Sequence, residues 1–217
     1  NPCRRCNHSI GDSICLPEET NAKNIKIIRT YLNEIKNDFI TARFQAALSL
    51  YCDYDFRPLD IHTQYEQNEY RYGIKVGLLK NTLLGFYSVL DKISLFINEY
   101  LELGEKSGDV TFNRIWHNVI KDKNCKVVAK PIKEGIIKSG VFSFNAIFDI
   151  YKDFQQGKEY EELRSFRNKI AHRFLPVDIR GGEFEDGISE EKLIENTLLL
   201  ARITRNCIMY LIQGVYN

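Results

Sequence analysis

Neither sign of charge is in excess in this chain: Lys and Arg number 30, Asp and Glu 29, and the formal net charge is +1. No global field steers it to nucleic acid or to a membrane surface, so any anion-binding site has to be local. Long apolar runs are lacking too. None approaches the roughly 18 residues that a membrane-spanning helix needs, and no membrane partner is expected. The opening NPCRRC lacks a Met and the signal-peptide succession of basic, apolar and small residues. It reads as the start of a piece excised from a longer protein, with further sequence expected before Asn1. Cysteines number six, and Cys52, Cys125 and Cys207 lie scattered in apolar or mixed surroundings. A disulfide framework is not expected in a chain of this size and helical character, and a reduced, cytoplasmic setting is. Internal repeats and low-complexity tracts are not found.

What is present is ordinary for a globular domain: 44% hydrophobic and 27% charged residues in 217, enough chain for one domain with a real core. Residues 1–20 are irregular and Cys-containing, punctuated by Pro2, Gly11 and Pro17; residues 21–217 read as one helical domain. From Asn24 to about Tyr54 there is neither Gly nor Pro. Ile28, Tyr31, Leu32 and Ile35 fall at helical spacing, as do Phe44, Ala47, Leu48 and Tyr51. This predicts one long helix, or two joined near Asn37–Asp38. Pro58 in RPLDIH breaks the chain. A second long helix is predicted over about Glu66 to Leu103, where Leu79, Leu83, Phe86, Leu90, Ile93, Ile97 and Tyr100 alternate steps of four and three, a bundle seam.

Residues 104–142 are mixed: FNRIWHNVI has the pattern of a short helix, and the basic stretch from Lys121 to Lys138 reads as irregular or weakly helical. Ser143 is placed to cap a helix over SFNAIFDIYKDFQ, with Ile147 and either Ile150 or Tyr151 inward. After Gly157, Glu159, Glu161 and Glu162 occupy the first turn of the next helix, where the dipole favours carboxylates. That helix runs through RSFRNKIAHRF and stops before Pro176. Ser189 opens the last helix, with Ile194, Leu198, Ala201, Ile208, Ile212 and Val215 on one stripe. The expected fold is all-α, an up-and-down bundle of four to five long helices with short insertions.

RSFRNKIAHRF carries the chemistry. At about 100° per residue, Leu163, Phe166 and Ile170 fall within an arc of about 60°, joined by Phe174 if the helix reaches it. That arc faces the core. Asn168 and His172, four apart, lie about 40° from each other. Arg167 flanks them, with Arg164 between Arg167 and Asn168. Lys169 and Arg173 add charge, and no acidic residue occurs from Arg164 to Leu175. Arg offers a planar fork for phosphate oxygens, His moves a proton near neutral pH, and Asn holds a hydroxyl or orients a neighbour. These groups suit cleavage of RNA by its own 2′-OH. A base takes the 2′ proton, a cation stabilises the phosphorane, and an acid protonates the leaving 5′ oxygen. No cofactor is needed. One His per chain is one acid/base short, and a symmetric dimer would supply the second. Arg-x4-His also arises by chance on solvated helix faces.

RNKIAH resembles the Arg-(Asn/Asp/His)-x3-His motif of the HEPN superfamily. Its place at the end of a helix, before the last helix of a bundle, is similar too. So is LLGFYSVLDKISLFINEYL, which resembles the long helix of bacterial, defence-associated HEPN proteins. The resemblance covers about residues 22–217. It implies a metal-independent endoribonuclease in which two protomers form one composite cleft, leaving 2′,3′-cyclic phosphate and 5′-hydroxyl ends. Arg167 would bind and stabilise the phosphate, His172 would be general acid or base, and Asn168 would orient His172 or the scissile group. Arg164, Lys169 and Arg173 would contact RNA. The resemblance also implies a toxin or antiviral effector, active as a homodimer through the motif face, with an antitoxin or an N-terminal regulatory region as partner. HEPN toxins silenced by AMP transfer carry a Tyr two residues after the motif His. Here that residue is Phe174, which has no hydroxyl to modify. Two other readings stand beside this one. One is a catalytically inactive HEPN module that binds a nucleotide or a protein; the other is a helical scaffold in which Arg167 and His172 pair locally.

Further candidates carry weaker signals. Cys3, Cys6, His8 and Cys15 include a Cys-x2-Cys half-site for a structural zinc, although the spacing is tight, and a linker with exposed thiols fits equally. Asp91 and Lys92, beside the seam, are either a second layer orienting Arg167 or a solvated pair. Tyr65, Tyr70 and Tyr72, interleaved with Arg71 and Lys75, would suit stacking on unpaired bases or an amphipathic surface. His62 and His117 have no partner legible in the sequence. Asp38 and Arg43 read as structural.

Overall fold

A computed structural model of the protein describes residues 16, 24–51, 73–121, 127–178 and 187–216. Among them, three helices of 27 residues make the frame: α1 (Ile25–Tyr51), α2 (Ile74–Tyr100) and α6 (Glu190–Tyr216). Two of 15 residues, α4 (Phe142–Gln156) and α5 (Lys158–His172), and the short α3 (Glu134–Ser139) complete the helices. The fold is an all-α bundle. Two small ladders decorate it: β1 (Ile120–Lys121) with β2 (Val127–Ala129), antiparallel, and β3 (Val177–Asp178) with β4 (Ile188–Ser189), parallel. No helix among the described residues is long and apolar enough to cross a membrane.

The seam on α2 is buried as its spacing demands. Leu79, Leu83, Phe86, Leu90, Ile93 and Ile97 are at most 1% exposed. Each contributes about 1.5–3 kcal/mol by leaving water. α2 is the central helix, packed against α1, α5 and α6, while α4 bridges α5 and α6. α1 is continuous through Asn37–Asp38, with no joint there. Its inner face is smaller than expected: Ala42, Ala46 and Ser49 are buried, whereas Phe44 and Tyr51 are 66% and 76% exposed. The reason is close approach, since a Cβ at Gly85 of α2 would stand 3.2 Å from the Ala42 Cβ. Small residues face each other there, and Phe44 is turned out.

Other expectations are also corrected. Residues 112–116 of FNRIWHNVI form turns, not a helix, and bury Trp116 completely. The described part of Lys121–Lys138 supplies a strand and α3. Val141, not Ser143, precedes the first turn of α4; Ser143 is buried and its hydroxyl has no partner among the described residues. Gly157 ends α4 and starts α5, and this junction sets the angle at which the motif helix leaves. α5 ends at His172, so Phe174 does not join the inward arc; it is 90% exposed. On α6 the expected Ile208 and Val215 are buried, but the stripe centres on Leu193, Thr197, Leu200, Thr204, Cys207 and Leu211; Ile194, Ala201 and Ile212 are half-buried and Leu198 is exposed. Ser189 does cap α6: its hydroxyl accepts from the Lys192 amide at 3.1 Å. The Pro58 break, residues 66–72, His62, Tyr65, Tyr70, Arg71, Tyr72, Cys52 and Cys125 lie outside the described residues.

Candidate functional site

The motif helix is held by one buried residue, Leu163, and by the half-buried Phe166 and Ile170, which pack on the core. That orientation leaves Arg164, Arg167 and Asn168 on the side facing α2 and the turn at 111–114. With them, Tyr87, Asp91, Thr111, Phe112, Asn113, Arg114 and Phe154 enclose an open cavity of about 390 Å³. Phe112 and Phe154 form its apolar floor, edge to face with centroids 6.0 Å apart. Three guanidinium groups against one carboxylate give it a local excess of positive charge, in a chain whose net charge is close to zero.

Several contacts hold the walls in place. Asp91 accepts from the Phe112 amide at 2.8 Å, which ties the 111–114 turn to α2. Burial raises the Asp91 carboxyl above its ordinary range, while that amide and the positive charge of Arg167 pull it back down. Burial likewise pushes the Tyr87 hydroxyl up; Arg167 and Arg164 oppose this and Asp91 adds to it. The Tyr87 hydroxyl is buried and has no hydrogen-bond partner among the described residues. At the rim, Arg164 donates to Gln155 Oε1 at 3.2 Å, and Gln155 donates to Asn113 Oδ1 at 3.0 Å. Arg167 donates to Asn168 Oδ1 at 3.3 Å, an exposed contact that leaves the rest of its fork available.

His172 stands apart. It is the last residue of α5, exposed, and outside the cavity lining. It lies one turn beyond Asn168, and none of the described residues bonds to it. The backbone continues with the Arg173 amide donating to Lys169 O at 2.9 Å. Arg173 lines a different, shallower hollow with Lys80, Ile170, Phe174, Leu175 and Pro176. Lys169 is half-exposed and outside the cavity lining. One chain therefore joins Arg164, Arg167 and Asn168 and leaves His172, Lys169 and Arg173 facing outward.

Asp91 and Lys92 part company. Asp91 lines the cavity beside Arg167. Lys92 does not: its Nζ lies 2.5 Å from Glu34 and 2.6 Å from Asp38, both on α1, so of the alternatives for this residue the place behind Arg167 is excluded and a structural role, an interhelix clamp, is what it has. His117 is likewise used elsewhere, its Nδ1 2.8 Å from Lys130 O and its ring against Phe148 and Tyr151. Lys75 pairs with Glu190 at 2.8 Å. Cys3, Cys6, His8 and Cys15 lie outside the described residues. Sequence reading missed Tyr87, Phe112, Asn113, Gln155 and Phe154 as parts of the site. Only Tyr87 left a signal: it is four residues before Asp91 on α2, hence on the same face.

The family model described as LA2681-like HEPN matches residues 19–217. No curated protein and no solved structure matches the chain.

Proposed function

The chain belongs to the LA2681-like HEPN family, and from that premise we propose that it is a metal-independent endoribonuclease whose cleft is completed by a second copy. The observation that supports this most is the division of labour on α5: Arg167 and Asn168 sit on the wall of a cationic cavity, and His172, one turn on, points away from it. In this reading the Arg167 fork holds the scissile phosphate and balances the charge of the phosphorane. One His172 imidazole removes the 2′-OH proton, the 2′ oxygen attacks phosphorus, and the bond to the 5′ oxygen breaks. A second imidazole, from the other copy, gives that oxygen its proton. The products carry 2′,3′-cyclic phosphate and 5′-hydroxyl ends. Asn168, bonded to Arg167, keeps the fork in register. Arg164, and beyond the cavity Lys169 and Arg173, contact the flanking backbone. A role as toxin or antiviral effector fits the family premise.

The test is cleavage of total RNA in excess chelator by wild type, Arg167→Ala and His172→Ala protein, with the new ends identified chemically. Cyclic phosphate and 5′-hydroxyl ends from wild type, with each variant slowed by at least about 100-fold, are expected. Equal cleavage by His172→Ala, or 5′-phosphate ends, would contradict the mechanism. A second reading, a module that binds nucleotides without cutting, is favoured by the placement of His172 outside the cavity of its own chain. Nucleotide binding that depends on Arg167, with no cleavage by wild type, would establish it instead.

A further inference from the structure

The cavity is larger than a phosphate needs. At about 390 Å³ it falls at the small end of the roughly 300–1,000 Å³ range of ligand pockets, room for one nucleotide and not for a helix. Arg164 and Arg167 come from α5. The other walls carry an aromatic floor, the polar groups Asp91, Thr111 and Asn113, the Tyr87 ring and a third guanidinium, Arg114, on the 111–114 turn. Asp91 is the one acid among them, and only one of its two oxygens is used, by the Phe112 amide. The other has no hydrogen-bond donor among the described residues. Asp91 is half-buried and that oxygen is not among the buried atoms left without a partner, so it is open to accept from a ligand that enters the cavity.

We infer that this cavity is the subsite for one unpaired nucleotide next to the cut phosphate, and that the second carboxylate oxygen of Asp91 accepts from an exocyclic amino group on its base. Cytosine, adenine and guanine carry such a group; uracil has a carbonyl in its place. The phosphate of the same nucleotide lies against Arg164 and Arg167, and the base rests over Phe112 and Phe154. The Gln155 bridge from Arg164 to Asn113 holds the phosphate side and the base side at a fixed separation. Asp91 becomes a specificity-determining residue for RNA cleavage, and the inference rests on the ribonuclease reading for its biological meaning. Its binding chemistry does not depend on that reading.

The test is titration calorimetry of the full chain, in chelator, with 3′-cytidine monophosphate, 3′-uridine monophosphate and inorganic phosphate. None of these is cleaved, so binding is read whether or not the protein cuts RNA. Wild type should bind the cytidine ligand about tenfold or more tighter than the uridine one, as expected for a hydrogen bond to a charged group. Asp91→Asn keeps the oxygen that accepts from Phe112 and replaces the other by an NH2 donor, so the preference should invert toward uridine while affinity for phosphate holds. Arg164→Gln should weaken all three ligands and leave the preference intact. Equal binding of the two nucleotides by wild type, or a cytidine preference unchanged in Asp91→Asn, overturns the subsite. A base preference in a protein that cuts no RNA leaves the subsite standing and removes the ribonuclease reading. Cleavage by a protein with no base preference does the reverse.

Discussion

Arg167 and Asp91 line the same cavity and act on each other through charge. The Asp91 carboxyl is raised by burial and restrained by the guanidinium facing it. A raised carboxyl means that the fold favours the protonated form. That contribution to stability is fully present below the ordinary carboxyl range and is lost as pH rises through the folded-state pKa. Removing Arg167 takes away one of the two restraints. In Arg167→Ala the Asp91 pKa, followed by carboxyl carbon NMR across a pH titration, should rise above its wild-type value. An unchanged or lower value would mean that the two side chains do not face each other. At this scale the sequence was informative about α5 and silent about its surroundings. Arg167, Asn168 and His172 could be picked out from one hexapeptide, and the helical period placed Arg167 and Asn168 together, but not the divergence of His172 at the helix end. Asn113 and Gln155 could not, because nothing local marks a residue whose partner lies 42 positions away.

The helices show which sequence signals survive packing. On α2 the alternation of fours and threes marked the buried seam from Leu79 to Ile97, with Tyr100 at its end half-buried, because large apolar side chains lie along one line. On α6 only Ile208 and Val215 of the expected stripe are buried. Thr197 and Thr204 look polar, yet their hydroxyls donate to Leu193 O at 2.7 Å and Leu200 O at 2.8 Å, which makes them acceptable in the core. On α1 the bulk rule failed for Phe44 because the contact with α2 selects small residues. Lys92 belongs to this scale. It ties α2 to α1 through Glu34 and Asp38; burial lowers its pKa, and the two carboxylates more than reverse this and raise it. Lys92→Met should lower stability in urea by about 0.5–1 kcal/mol, less at high salt, with RNA cleavage per folded molecule unchanged. Loss of cleavage in a folded, stable Lys92→Met protein would place Lys92 in the site after all.

The whole molecule is an all-α bundle with a cationic cavity beside the motif helix. α2, α4, α5 and the 111–114 turn converge on one cavity, and α5 ends in a histidine that faces away from it. The all-α class, the central α2 and the motif helix were legible in the sequence. The cavity was not, since its walls come from segments far apart in the chain. Nor was the outward turn of His172, which follows from α5 stopping at that residue, four short of Pro176. The central claim is that catalysis needs the α5 face of two copies. The most direct measurement is cleavage of an RNA in excess chelator by a fixed amount of wild-type protein while His172→Ala protein is added in increasing excess. Variant chains that pair with wild type should take histidines out of shared clefts, so cleavage should fall steadily as the variant is added. Cleavage that stays constant, or a wild-type protein that cuts nothing at any concentration, would contradict the composite site.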